Sequence, residues 1–340
     1  MGQVYGERWE IVRDLGQGGQ GQAFLVKDRN SETAEQYVLK RLINVKRSAR
    51  FEKEVEAIAK LNHPNVLRLV DSDVKAEPRP YLVTEYCRRG SLEENKAAIL
   101  EFELDQVMGL FEKILAGVSH IHDAKIVHRD IKPANIFLRE DGAPVVGDFG
   151  LAYIEETERP TETLEAVGAR WYMAPELADG RLEEVTPRAD VYSLGKLLYW
   201  LLTGNIFDRE RHRSDRNNIL KYYSDETMEN VNLLLDKMIV EDYRARYADA
   251  GTVAGHFTAL RRLVRGGYPS LTAYPRLCRY CGRDVYEKLD SEGTALRNMG
   301  ISAVSGSRWS MFRCNTCGHL LVFYNDVWSS KAKPLADNLQ

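Results

Sequence analysis

Beyond Arg89 the hydrophobic pattern of this 340-residue chain changes its period. Before that point the stretches 9–16, 22–28 and 35–42 are short, rich in β-branched and aromatic residues and separated by turn residues, which predicts strands. A helix is predicted over 47–62, where Phe51, Val55, Ile58 and Leu61 fall on one stripe. Two further strands are predicted over 66–73 and 80–86. After Arg89 the spacing is helical. Residues 104–124 place Val107, Leu110, Phe111, Ile114, Leu115 and Val118 on one buried face. Residues 187–204 are apolar almost all round and should lie at the centre of a helical lobe, completed by helices near 229–240 and 250–264. The expected class is α+β, with a β-rich small lobe followed by a helical large lobe.

A glycine cluster, GQGGQGQAF at 16–24, lies between the first two strands. A dinucleotide-binding fingerprint would need its third glycine to open a helix, so that reading is rejected. Gly16, Gly18, Gly19 and Gly21 fit a hairpin tip where missing Cβ atoms let backbone N–H groups approach phosphate oxygens. Taken alone, the cluster leaves a phosphate cradle and a plain turn both open. Lys40 ends the third strand, and Glu54 in the following helix is its natural ion-pair partner; an exposed lysine and a solvated glutamate are the bland alternatives.

The stretch VHRDIKPANIFL (127–138) decides between them. Asp130 can accept a hydrogen bond from an attacking hydroxyl, Lys132 can neutralise charge on a transferring phosphoryl group, and Asn135 can ligate Mg²⁺. GDFGLA (147–152) then offers Asp148 as the principal Mg²⁺ ligand and Phe149 as a packing latch. YMAPEL (172–177) and DVYSLG (190–195) follow in order.

With these motifs in register, residues 8–264 resemble a eukaryotic-type (Hanks-type) serine/threonine protein kinase. The resemblance implies a bilobal kinase fold, with an N-lobe over 8–86 and a C-lobe over 87–264. It implies ATP and Mg²⁺ (or Mn²⁺) as cofactors, a protein substrate, and catalytic roles for Asp130, Lys132, Lys40 and Glu54. Thr84 takes the gatekeeper position, Glu85 and Cys87 supply hinge backbone groups for adenine, and Leu138 floors the pocket. Glu176 would pair with Arg246. Ile58, Leu69, His128 and Phe149 would stack as a spine. Lys132 points to serine/threonine rather than tyrosine specificity. Three positions depart from the pattern: Ala23 in the adenine roof, Tyr192 for a tryptophan, and Ala169 where threonine usually bonds the catalytic pair. In the segment 148–176, Thr161 or Thr163 is a phosphorylation candidate whose phosphate would meet Arg129.

Five cysteines include two Cys-x-x-Cys-Gly units, CRYCGR at 278–283 and CNTCGH at 314–319. Four thiolates on two knuckles make a tetrahedral Zn²⁺ site, so Cys278, Cys281, Cys314 and Cys317 are the expected ligands of a zinc-ribbon-like β module over 277–328. Residues 265–276, rich in Gly and Pro, are expected to be a linker, and 329–340 a tail. The module's charges are mixed, which favours recruitment of a protein or regulation over tracking of nucleic acid. A nucleic-acid sensor and a kinase-like scaffold that binds nucleotide without transferring phosphate remain the alternatives. A net charge of -3 argues against a chain that binds nucleic acid or membrane surfaces throughout. The lack of a signal-like start suggests the cytoplasm. A homodimer is compatible with all of this.

Overall fold

The computed structural model describes residues 4–17, 21–43, 48–77, 79–148, 170–223, 228–265, 273–277, 285–289, 309–314 and 317–324. The chain divides into two compact units, one made of Met1–His212 with Leu235–Ala254 and the other of Arg213–Leu234 with Gly255–Gln340.

The first unit begins with a six-stranded antiparallel sheet in the order β1-β2-β3-β4-β6-β5. Its strands are β1 (Val4–Tyr5), β2 (Trp9–Gln17), β3 (Gly21–Asp28), β4 (Gln36–Leu42), β5 (Leu69–Asp73) and β6 (Tyr81–Glu85). Period-2 alternation sends alternate residues to opposite faces. One face carries a core of Tyr5, Trp9, Phe24, Val26, Tyr37, Leu39, Tyr81 and Val83. On the other, Leu42 and Leu82 pack with Phe51 and Val55 of helix α1 (Ser48–Ile58). The sequence pattern extended the fifth strand back to residue 66, yet it starts at Leu69. Val66 leaves the sheet to bridge Val146, and the Leu67 N–H donates to the Val146 carbonyl at 2.9 Å. The predicted helix over 47–62 ends at Ile58, and a tight turn still buries Leu61.

The helical part of this unit is built on α3 (Leu104–Asp123), after a single turn α2 (Lys96–Ile99). Gln106 Oε1 accepts the Glu103 N–H at 2.9 Å and so satisfies a donor at the helix start. The predicted apolar face is buried in full, with Met108 and Ile121 added to it. A short hairpin, β7 (Ile136–Leu138) and β8 (Pro144–Val146), carries the segment between the two acidic motifs. Three-residue strands are too short for a period to reveal them. Next come α4 (Pro175–Ala178) and α5 (Pro187–Thr203). Every residue of α5 from Ala189 to Leu202 is buried, as its all-round apolar pattern required.

α6 (Glu229–Leu235) is shorter than the predicted 229–240, whereas α7 (Ala250–Val264) has the predicted bounds. The second unit also contains a four-stranded antiparallel sheet in the order β12-β11-β10-β9. It is formed by β9 (Ala273–Leu277), β10 (Val285–Leu289), β11 (Trp309–Cys314) and β12 (Leu320–Tyr324). Strand β9 therefore begins inside the stretch expected to be linker, because Tyr274 pairs with Tyr286 of β10. Among the described residues, no helix is long and apolar enough to cross a membrane.

Candidate functional site

Asp190, in the first turn of α5, organises the loop that precedes β7. Its carboxylate is fully buried and accepts three hydrogen bonds: the His128 N–H at 2.7 Å, the Arg129 N–H at 2.8 Å and His122 Nε2 at 3.0 Å. Burial alone would raise the carboxyl's pKa, but the bond from His122 and the surrounding donors outweigh it and hold the group below the usual range. The two backbone bonds fix Arg129 at φ 69°, a left-handed conformation that costs a residue with a Cβ about 1–2 kcal/mol.

His128 carries that order onward. Its ring is fully buried, and burial keeps it neutral by lowering its pKa. Nε2 lies 2.9 Å from the Gly147 carbonyl and Nδ1 3.3 Å from the Asp130 N–H. The proton therefore sits on Nε2, which donates to Gly147, while Nδ1 accepts from Asp130. One imidazole thus joins the backbone of Asp130 to the residue before Asp148.

Around Asp130 the predicted residues converge. Lys132 Nζ lies 2.8 Å from Asp130 Oδ2, and Asn135 Nδ2 donates to the same oxygen at 2.7 Å and to the Asp130 carbonyl at 2.8 Å. Lys40 Nζ forms an ion pair with Asp148 Oδ1. Asp148 itself has φ 55°. On the roof side, Ala23 of β3 is the register partner of Lys40 on β4. A Cβ on Gly21 would lie 2.6 Å from the Arg41 carbonyl, so only glycine lets β3 leave the glycine loop at this spacing. Thr84, Cys87 and Leu138 are buried, and Cys87 packs with Leu67, Val145 and Phe137. Burial pushes the Cys87 thiol up to about 12, so it is an apolar lining group and not a nucleophile. The Glu85 side chain is held by Arg139 through two bonds of 2.8 Å and accepts the Arg68 N–H at 2.9 Å.

Farther into the helical part, Arg246 and Glu176 form the expected pair, bidentate at 2.8 and 2.9 Å and sealed from solvent. The Tyr192 ring lies 4.9 Å from the Arg246 guanidinium carbon, so the tyrosine in place of tryptophan keeps an aromatic face under this pair. Arg129 Nε and Nη1 are buried with no hydrogen-bond partner among the described residues, and burial lowers the guanidinium's pKa.

Several sequence expectations lie outside the described residues: Gly18, Gly19, Phe149, Thr161, Thr163, Ala169, Cys278 and Cys281, together with the side chain of Glu54. The second cysteine knuckle is partly described. The Gly318 N–H donates to the Cys314 carbonyl at 2.8 Å, the Cys314 N–H to the His319 carbonyl at 2.9 Å, and Gly318 has φ 75°. Glycine adopts this left-handed conformation without the cost a Cβ would add. Among the described residues no group of three or more His, Cys, Asp or Glu side chains could hold a metal ion, and two of the four expected zinc ligands fall outside them.

Sequence reasoning missed the anchoring roles of His122, Asp190 and Gly147. The motif DVYSLG contained Asp190, but nothing local shows that a carboxylate 61 residues away in sequence binds the Arg129 backbone. Lys196 was missed as well. It is fully buried on α5, and Nζ donates to the carbonyls of Phe207 and Arg209 at 2.7 and 2.5 Å. Burial lowers its pKa to about 7.

Comparison with known sequences adds a family. The family described as "Protein kinase domain" matches residues 9–256. Serine/threonine-protein kinase Nek1 of Mus musculus is 34% identical over 207 residues, covering 58% of this chain and 16% of that protein. Serine/threonine-protein kinase Nek5 of Homo sapiens is 32% identical over 204 residues, 58% of this chain and 28% of that protein. Serine/threonine-protein kinase PrkC of Bacillus subtilis (strain 168) is 33% identical over 214 residues, 62% of this chain and 33% of that protein. The chain therefore spans a third or less of the length of each of these relatives.

Proposed function

The chain belongs to the protein kinase domain family, and on that premise we propose that it transfers the γ-phosphoryl group of ATP to serine or threonine hydroxyls of a protein substrate. The observation that carries this reading is the cluster of Lys132 and Asn135 on Asp130, 2.8 and 2.7 Å from the same carboxylate oxygen. Asp130 accepts the hydrogen bond of the incoming hydroxyl and orients its lone pair. Lys132, already beside that carboxylate, meets the negative charge of the transferring group. Lys40 holds phosphate oxygens, and its present partner Asp148 is the carboxylate suited to a divalent cation.

The donor set fits such a cation: a carboxylate on Asp148 and an amide on Asn135, whose nitrogen is engaged by Asp130, leaving its oxygen as the ligand atom. When bound, Mg²⁺ (or Mn²⁺) would neutralise charge on the phosphates. Serine/threonine specificity is supported by Lys132 and by the three relatives, each a serine/threonine-protein kinase. The test is incorporation of labelled phosphate from ATP into the protein itself and into a generic basic protein substrate. Wild-type protein incorporates label, and Asp130→Ala and Asp148→Ala do not. Wild-type protein that binds ATP and transfers nothing would instead be a nucleotide-binding scaffold.

Phosphorylation of Thr161 or Thr163 would give a dianionic acceptor to the Arg129 nitrogens that have no partner among the described residues. Peptide mapping of fully active protein that finds both threonines unmodified ends this part of the reading.

The doubled Cys-x-x-Cys-Gly pattern and the geometry of its second knuckle support a Zn²⁺ held by Cys278, Cys281, Cys314 and Cys317. The surrounding β module would recruit a protein or regulate the kinase domain. One equivalent of zinc in the purified full chain, lost in Cys314→Ser, is the expected result; zinc-free folded protein would refute it.

A further inference from the structure

Two residues flank the glycine cluster with polar side chains that the phosphoryl-transfer reading does not use: Asp14, two positions before Gly16, and Gln22, directly after Gly21. They face each other across the neck of the hairpin. Gln22 Nε2 donates to Asp14 Oδ2 at 2.6 Å, and the Gly16 N–H donates to Asp14 Oδ1 at 2.6 Å. Between Asp14 and Gly16 the β2–β3 register shifts, and Gly16 adopts φ 117°. The Asp14 carboxylate thus holds the irregular backbone near the end of β2, one residue before Gln17, and ties it to the first side chain of β3.

The chain of bonds continues away from the loop. Gln22 Oε1 accepts from Arg41 Nη2, and Arg41 Nη1 donates to the Tyr5 hydroxyl at 2.5 Å. The Arg41 guanidinium carbon lies 5.1 Å over the Phe24 ring, which in turn stacks on Tyr5. No carboxylate lies within ion-pair distance of Arg41 among the described residues. Among the described residues, the cation's link to a carboxylate therefore runs through the Gln22 amide to Asp14. A cation at one end and an anion at the other fix the amide orientation, oxygen toward arginine and nitrogen toward aspartate, and make both bonds charge-assisted. Arg41 is the neighbour of Lys40 on β4, so the same strand bears the phosphate-holding lysine on one face and the root of this relay on the other.

We propose that the Asp14–Gln22–Arg41–Tyr5 relay is a neck clamp that positions the glycine loop over the nucleotide phosphates and couples it to the amino-terminal strand β1. These are positioning residues, since none of them reaches the reacting atoms. The inference rests on the phosphoryl-transfer reading. Fixing the backbone on both sides of the cluster, at Gly16 and at Gln22, pre-organises the ends of β2 and β3 between which the phosphates would be held, so the clamp acts on nucleotide affinity.

The experiment is affinity for ADP with Mg²⁺, by titration calorimetry on the full chain, together with KM for ATP and kcat on the same generic protein substrate. Gln22→Glu keeps the acceptor for Arg41 but sets a second carboxylate against Asp14. It is expected to weaken ADP binding and raise KM for ATP by about 5-fold, with kcat within about 2-fold and an unchanged thermal midpoint. The double variant Asp14→Asn with Gln22→Glu restores a donor–acceptor pair across the neck and should return affinity to within about 2-fold of wild type. Tyr5→Phe, which keeps the ring and removes only the acceptor, should give a smaller loss of the same sign. Unchanged affinity in Gln22→Glu overturns the clamp, and so does a loss that the double variant fails to restore. Wild-type protein that binds no nucleotide overturns the phosphoryl-transfer reading and the clamp together, which separates the two failures.

Discussion

Replacing Asp190 by asparagine tests the internal logic of the site most directly. The carboxylate serves three donors: Oδ2 accepts the His128 N–H and His122 Nε2, and Oδ1 accepts the Arg129 N–H. None of the three can be turned into an acceptor. His122 Nδ1 already takes the Ala250 N–H at 3.0 Å, which leaves its proton on Nε2. An amide of the same shape must therefore point its NH₂ at one oxygen's partners. The less costly choice sets the nitrogen against Arg129 alone. One buried N–H then loses its acceptor, at about 1–3 kcal/mol, and the two remaining bonds fall from charge-assisted to neutral strength, at about 1 kcal/mol each. The sum is a loss of about 3–5 kcal/mol of stability. Arg129, no longer pinned at φ 69°, can relax toward an unstrained conformation and carry Asp130 with it. A misplacement of about 1 Å at the catalytic group can reduce kcat by on the order of 100-fold. Urea unfolding reads the first effect, and phosphate transfer at saturating ATP reads the second, with ADP affinity as a control that should hardly change. Because the native pKa of Asp190 is lowered, its contribution is present above the unfolded value of about 3.9 and is lost as pH falls through the native value. The wild-type advantage should therefore be level between about pH 5 and 8 and shrink in acid. A variant within about 1 kcal/mol of wild type, with kcat within about 2-fold, would refute the three-donor account.

Arg246→Met should cost about 3–5 kcal/mol in urea unfolding because it leaves the Glu176 carboxylate buried and unpaired, and adding Glu176→Leu should recover most of that loss; a single variant as stable as wild type would contradict it. Lys196 has a native pKa of about 7 against an unfolded value of about 10.4, so the unfolded chain binds more protons between them and wild-type stability should rise with pH across that window, by up to roughly 5 kcal/mol. Lys196→Met should lack this rise, and parallel stability–pH curves for the two proteins would show that the lysine is not titrating there. Cys87 should resist iodoacetamide in native protein at pH 8 and react on unfolding, as read by peptide mass mapping; rapid native labelling would mean that the hinge opens.

Contrasting residues show which parts of this site could be read from the sequence. Asp130, Lys132 and Asn135 stand within five positions of one another, so a short motif fixes their chemistry and the local turn brings them together. The strands of the sheet and the buried α5 were likewise legible, because period and composition act over the same few residues that form the element. The boundaries failed where a distant partner captured the backbone, as when Val146 drew Val66 and Leu67 out of the predicted strand. The anchoring of Arg129 by Asp190, 61 positions away, follows the same rule, since a carboxylate in a helical apolar run gives no sign of which N–H groups it will meet. Lys196 is the sharpest case. Its sequence context reads as core, where a lysine is a contradiction, and the carbonyls of Phe207 and Arg209 with the nearby Phe207 and Tyr192 rings resolve it. The neck clamp lies between these extremes. Asp14 and Gln22 flank a recognised motif, but their meeting depends on the register of β2 on β3, and the relay to Tyr5 depends on the packing of β1. Long-range polar anchors, rather than the catalytic groups themselves, thus carry the information that the sequence motifs lacked.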